Sequence, residues 1–242
     1  MNPQELYRAG RLSEAIQKLS GELRENPGDS RARVFLFELL CFAGEYARAD
    51  KQLEVLAQAG PQSETGVILY RSALYAERQR QDVFERREFP SQQESQEDGA
   101  SRSGTANGKP FSYFADADRR VGAKLELFAA GNYLLLPLEH VISIEIPVPR
   151  RLRDLIWTPA VVRTAPSFKN ADLGEVLIPV LSPASWRHPN ESVRLGRMTM
   201  WEQREGDQEP VPYGQKMWLL DDEELPFLEL RSLEFNSASA AA

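Results

Sequence analysis

The chain has 242 residues, 42% hydrophobic and 27% charged, and its 29 basic and 36 acidic side chains leave a net charge of −7. That suits one large or two small packed domains and argues against a broadly basic nucleic-acid surface. The one cysteine, Cys41, rules out an internal disulfide and fits a reducing compartment. The first ten residues lack a basic–apolar–small signal pattern, and no apolar run reaches the ~18 residues that span a bilayer. A cytoplasmic location with no membrane partner is the expectation.

Read in order, residues 3–9 form a short helix with Pro3 in its first turn, and 12–25 a second with Leu12, Ala15, Ile16, Leu19 and Leu23 at helical spacing. After the Pro27-Gly28-Asp29 turn, Asp29 or Ser30 caps a third helix over 30–43, and a fourth follows over 46–58. Gly10, Leu12, Ala15, Leu19 and Pro27 recur 34 residues later as Gly44, Tyr46, Ala49, Leu53 and Pro61. A period of 34 is that of tetratricopeptide (TPR) hairpins: a left-handed Gly ends one helix, a small Ala lets helices approach, and Pro closes the unit. Arg33 stands where the motif prefers Trp. Residues 63–86 continue as a helix, but the register fails at Arg78 and Val83, so the array stops at two repeats plus one helix. Roughly three repeats are needed for independent stability, so the C-terminal half is expected to pack on the open end.

Residues 90–110 have Pro at either end and no large apolar residue, and the span 89–112 around them reads as a flexible linker. Beyond them the pattern alternates. Lys124–Phe128 and Tyr133–Leu136 read as a hairpin around Gly131-Asn132, and Val141–Ile146 as a strand. Leu152–Ile156 reads as one helical turn. Ala160–Thr164, Val176–Leu181, Met198–Glu202, Met217–Leu220 and Phe227–Leu230 are further strand candidates. Short strands punctuated by Pro and Gly suggest a small antiparallel barrel or curled sheet over 113–235, with 236–242 a frayed tail. The fold class is α+β: TPR-like helices over 1–88, then a mostly antiparallel β-rich domain.

No catalytic constellation, metal site or cofactor fingerprint stands out. His140 and His188 lack partners at ligand spacing, and Cys41 on a helix reads as a small hydrophobe. Asp116 and Asp118, one residue apart, either bind a cation or cap a turn leading into the strand at Lys124, with Arg119 pairing to a carboxylate; too few oxygens are in sight for a cation.

The segments Asp116-Ala-Asp-Arg-Arg-Val-Gly122, Leu125-Glu-Leu-Phe128, Leu152-Arg-Asp-Leu-Ile-Trp157 and Gly214-Gln215 resemble the ImpE family, also called TagJ. The resemblance covers nearly the whole chain; the polar stretch 90–110 is longer here, and Val121 stands where Leu is expected. It marks Asp116, Asp118, Arg119, Gly122, Asp154 and Trp157 as structural motif residues. It implies a non-enzymatic, cytoplasmic accessory of bacterial type VI secretion that binds the sheath small subunit TssB and is linked to the ATPase ClpV. Stacked hairpins offer a groove for a partner helix. By repeat register its lining is Val34, Glu38, Cys41, Phe42, Ile68, Ser72 and Tyr75, unless some of these pack against the C-terminal half. Two rival readings are a hydrolase using Asp116, Asp118 and His140, and a general assembly chaperone.

Overall fold

The computed structural model describes residues 1–58, 61–87, 102–166, 168, 173–203 and 209–236, the side chains of 61–65 apart. Five helices come first: α1 (Pro3–Arg8), α2 (Leu12–Glu25), α3 (Ser30–Phe42), α4 (Tyr46–Ala57) and α5 (Pro61–Arg86). Strands follow: β1 (Gly104–Ala106), β2 (Lys109–Phe111), β3 (Phe114–Asp116), β4 (Lys124–Ala129), β5 (Asn132–Pro137), β6 (Val141–Glu145), β7 (Trp157–Thr164) and β8 (Glu175–Pro179). The short helix α6 (Glu191–Arg194) precedes β9 (Thr199–Glu202), β10 (Val211–Gly214), β11 (Met217–Leu220), β12 (Glu223–Pro226) and β13 (Ser232–Phe235). The chain divides into two compact units, Met1–Arg78 with Leu181–Gln215, and Gln79–Val180 with Lys216–Ala242.

The first unit carries the repeats. Helices α1 and α3 end in the same way 34 residues apart. Gly10 (φ 77°) donates to Tyr7 and Arg11 to Leu6; Gly44 (φ 69°) donates to Cys41 and Glu45 to Leu40. This is the Schellman arrangement, in which a left-handed glycine lets the last carbonyls be satisfied. Leu12, Ala15 and Leu19 in α2, and Ala49 and Leu53 in α4, are buried as the repeat predicts. Asp29 caps α3 by accepting from the Ala32 N–H at 2.9 Å.

The unexpected member of this unit is 181–215. It leaves the β-rich half, folds around its own small core of Val193, Val211 and Tyr213, and returns, held at its base where Ser182 donates to the Gly214 carbonyl. It packs on the inter-helix turns of both repeats. Glu191 accepts from the Ser13 N–H at 2.9 Å and from the Ser13 hydroxyl, at the N-terminus of α2. Arg197 donates to the carbonyls of Arg8 (2.9 Å) and Tyr7 (2.6 Å), at the C-terminus of α1, with its guanidinium over the Tyr7 ring. An acid thus meets the positive end of one helix and a base the negative end of its neighbour. Trp186 packs against Gly44, so close that a methyl there would stand 2.4 Å from the indole. This C-terminal segment lies along the turns of the repeats, where packing on the open end was expected.

The second unit is an eight-stranded antiparallel sheet in the order β2-β1-β13-β6-β7-β8-β4-β5, with a three-stranded sheet β12-β11-β3. The larger sheet has two ends, so it is open and not a barrel. Its core includes Leu125, Leu127, Ile144, Ile178 and a run of rings: Phe111, Phe114, Phe235, Trp218 and Phe227. Four expectations need correction. Of the expected linker 89–112, residues 89–101 lie outside the described ones, but 104–111 form the β1–β2 hairpin. Asn107 and Gly108 turn it with φ of 50° and 78°, and Phe111 reaches the core. Ladder bonds to β13 hold this segment, a contribution that side-chain composition does not reveal. The β4–β5 turn uses Ala130 and Gly131 at positive φ, not Gly131 and Asn132; Asn132 already pairs with Ala129. Phe227–Glu229 is a single 3-10 turn after Pro226, and the strand begins at Ser232. The β-rich domain expected over 113–235 is interrupted by 181–215. The expected frayed tail falls, from residue 237 on, outside the described residues.

Trp186→Ala should cost about 3 kcal/mol of stability, the scale of deleting a packed aromatic, and Gly44→Ala about 1 kcal/mol or more from backbone strain alone. Because the new methyl and the indole compete for one space, the double variant should lose less than the two losses added. Urea unfolding of the three variants checks this; strict additivity would mean the Trp186–Gly44 contact is incidental.

Candidate functional site

Two places in the molecule carry chemistry that demands explanation: a buried charge cluster in the second unit and an exposed apolar strip on α5 in the first.

The cluster is built from segments far apart in sequence. Glu126 on β4 accepts a two-pronged pair from Arg80 near the end of α5, Nε to Oε1 at 2.7 Å and Nη2 to Oε2 at 3.1 Å. Tyr133 on β5 donates its hydroxyl to the same Oε1 at 2.9 Å. Lys216, just before β11, reaches Glu126 Oε2 and lies 2.7 Å from Asp116 Oδ2 on β3. All four charged side chains are buried, and two acids face two bases. Burial pushes the Glu126 carboxyl up, but Arg80 and Lys216 outweigh it and hold it well below the ordinary carboxylate range. Asp116 differs: burial pushes it up to about 6, against the pull of Lys216, with Glu126 and Asp118 adding repulsion. Lys216 is disfavoured by burial, yet Asp116 and Glu126 raise it above its usual value.

The Asp116–Gly122 segment folds on itself. Asp116 Oδ1 accepts from the Asp118 N–H at 2.9 Å, and Asp118 Oδ1 from the Arg120 N–H at 3.1 Å. The Val121 and Gly122 N–H groups return to the Asp118 carbonyl, with Gly122 at φ 58°. Asp118 also takes a fork from Arg120. Both acids thus act as turn caps and ion-pair members. Asp154 caps another turn, its Oδ2 accepting from the Arg150 and Arg151 N–H groups at 2.9 Å each. Trp157 is buried at the start of β7, opposite Pro179.

The histidines have local roles. His140 lies against the Phe168 ring, 3.5 Å from Glu139. His188 accepts the Asn190 N–H through Nδ1, which puts its proton on Nε2, toward Glu202 at 2.9 Å. Among the described residues no group of three or more His, Cys, Asp or Glu is placed to hold a metal ion, and no helix is long and apolar enough to cross a membrane.

The groove positions read from the repeat register separate into two groups. Glu38, Cys41 and Phe42 are buried, and burial with nearby Glu77 and Glu38 pushes the Cys41 thiol up. Val34 and Ser72 are partly buried. Ile68 and Tyr75 stand out from α5, 67% and 58% exposed, joined by Leu69 at 51%, which the register did not select. The signal for Leu69 was in the sequence: two large apolar residues side by side on a helix cannot both face one buried side.

Tandem helical hairpins with the same terminations and a β-rich unit closed on an ion cluster define a TPR-containing α+β protein. A tetratricopeptide-repeat model matches residues 6–66, and the model of the family described as ImpE protein matches residues 108–234. The chain belongs to the ImpE family. It is 30% identical, over 99% of its own length and 93% of the other's, to the type VI secretion system accessory component TagJ of Pseudomonas aeruginosa. It also shares a fold with the crystal structure of protein VPA1032 from Vibrio parahaemolyticus, with a TM-score of 0.85 and 24% identity over 99% of both chains.

Two outcomes test the cluster. Glu126→Gln leaves Arg80 and Lys216 under-compensated in the interior and should cost about 3–5 kcal/mol in denaturant unfolding; a loss below about 1 kcal/mol would mean the charges are solvated. Asp116, with a folded value near 6 above its unfolded 3.8, holds a proton that the unfolded chain releases. Its contribution is therefore full at low pH and is lost as pH rises through 6. Relative to Asp116→Asn, the parent protein should gain about 1 kcal/mol between pH 7 and pH 5. A parallel pH dependence in the two proteins would contradict this.

Proposed function

We propose that this chain is a non-catalytic adaptor of a bacterial type VI secretion system, working in the cytoplasm, that docks a helix of the sheath small subunit TssB on its repeat region and links the sheath to the ATPase ClpV. The family and the TagJ relative support the secretion-system role. The single observation that carries the docking role is the exposed Ile68 and Tyr75, with Leu69 beside them, on α5, the helix that follows the two repeats. Large apolar residues clustered on one exposed helix mark a protein-binding surface, and an amphipathic helix is the natural occupant. Of the groove positions expected from sequence, Ile68 and Tyr75 remain available, while Phe42 and Cys41 are interior. The engagement of Asp116 and Asp118 in turn caps and ion pairs supports the non-catalytic reading over the hydrolytic one.

The test is a titration of a labelled TssB N-terminal peptide into the parent protein and Ile68→Asp/Tyr75→Asp, whose fold is checked by circular dichroism. Two interface anchors at ~1–2 kcal/mol each predict a loss of about 30-fold or more. Unchanged affinity in the folded double variant overturns the α5 site. Equal binding of unrelated amphipathic helices would favour a general chaperone.

A further inference from the structure

The strip on α5 has two unlike borders. At about 100° per residue, Ile68 and Tyr75 fall on one line, two turns apart. Arg71 and Arg78 fall together on one side of that line, while Leu69 and the partly buried Ser72 fall on the other. Arg71 and Arg78 are both exposed. Arg71 reaches Asp50 at 2.9 Å, a pair in which both side chains are nearly half exposed, and such a pair yields readily to a competing carboxylate. No ion pair engages Arg78 among the described residues. The apolar strip is therefore bordered by two arginines two helical turns apart.

Resting on the docking role proposed above, we infer that the occupant of this face is an amphipathic helix whose apolar ridge is flanked on one side by acidic residues at the same two-turn spacing. Arginine forks fit carboxylates, and rows of opposite charge beside an apolar seam set register and orientation in helix pairs. The overall charge of −7 sharpens the argument. At long range the protein repels an acidic ligand and attracts a basic one. A preference for acid can come only from a local contact, and Arg71 and Arg78 supply it.

The probes are two designed helical peptides with the same leucine ridge, one flanked by Glu and the other by Lys, titrated into the full chain. The parent protein should bind the Glu peptide about tenfold more tightly, the scale of two partly exposed charge contacts. The preference should shrink in ~0.5 M salt, where charges are screened within a few ångströms. Arg71→Glu/Arg78→Glu should reverse it, and Ile68→Asp should weaken both peptides alike. Equal affinities, tighter binding of the Lys peptide, or a preference that survives the charge reversal would overturn the inference. If Ile68→Asp still weakens both peptides in that case, helix docking stands and only the acidic flank falls. If neither peptide binds, both fall.

Discussion

The interior ion cluster is the constraint around which the second unit is organised. Glu126 collects Arg80, Lys216 and the Tyr133 hydroxyl, and Lys216 passes on to Asp116, so that the end of α5, β3, β4, β5 and the approach to β11 meet at one carboxylate. Removing four charges from water costs several kcal/mol each, and their mutual attraction offsets this only when every partner is in place. The cluster therefore adds little net stability over an apolar plug. Its effect is on uniqueness: a misplaced segment would strand a buried charge. The Lys216 ammonium also lies 5.9 Å from the centre of the Trp218 ring, which packs between Phe114 and Phe227, and in such low-dielectric surroundings the charges couple strongly.

Lys216 is also the first residue after the 181–215 excursion returns. The chain leaves the β-rich unit at Val180, and the Lys216 N–H donates back to the Val180 carbonyl at 2.8 Å, closing the neck. Beyond the neck the excursion behaves as part of the repeat unit. Its contacts are matched to helix ends: Glu191 on the free N–H groups of α2, Arg197 on the last carbonyls of α1, Trp186 on the glycine that ends α3. Two hairpins expose more apolar surface than they can bury between themselves, and this segment supplies part of the missing neighbour.

These two arrangements leave α5 with an apolar face and no covering partner among the described residues, on a helix whose other face is buried through Val67, Leu74 and Ala76. A helix held rigid by packing on one side and open on the other is a suitable platform for a reversible protein contact. The ordering cost on its own side is already met, and selectivity rests on which residues border the seam.

Local patterns were legible in the amino-acid order. The 34-residue period placed both Schellman glycines, helical spacing placed α2 to α5, and alternation placed β4 and β6, because each depends on residues within one turn or one hairpin. What could not be read were the choices between distant segments. Nothing local to 181–215 says that Glu191 meets a helix 178 residues earlier in the chain. Nothing local to Glu126 names Arg80 and Lys216 as its partners, and nothing in the repeat register separates buried Phe42 from exposed Tyr75. Backbone periodicity dictates which side of an element is apolar. Which neighbour that side meets is settled only when loops close and charges must find partners, and there the tertiary structure decides.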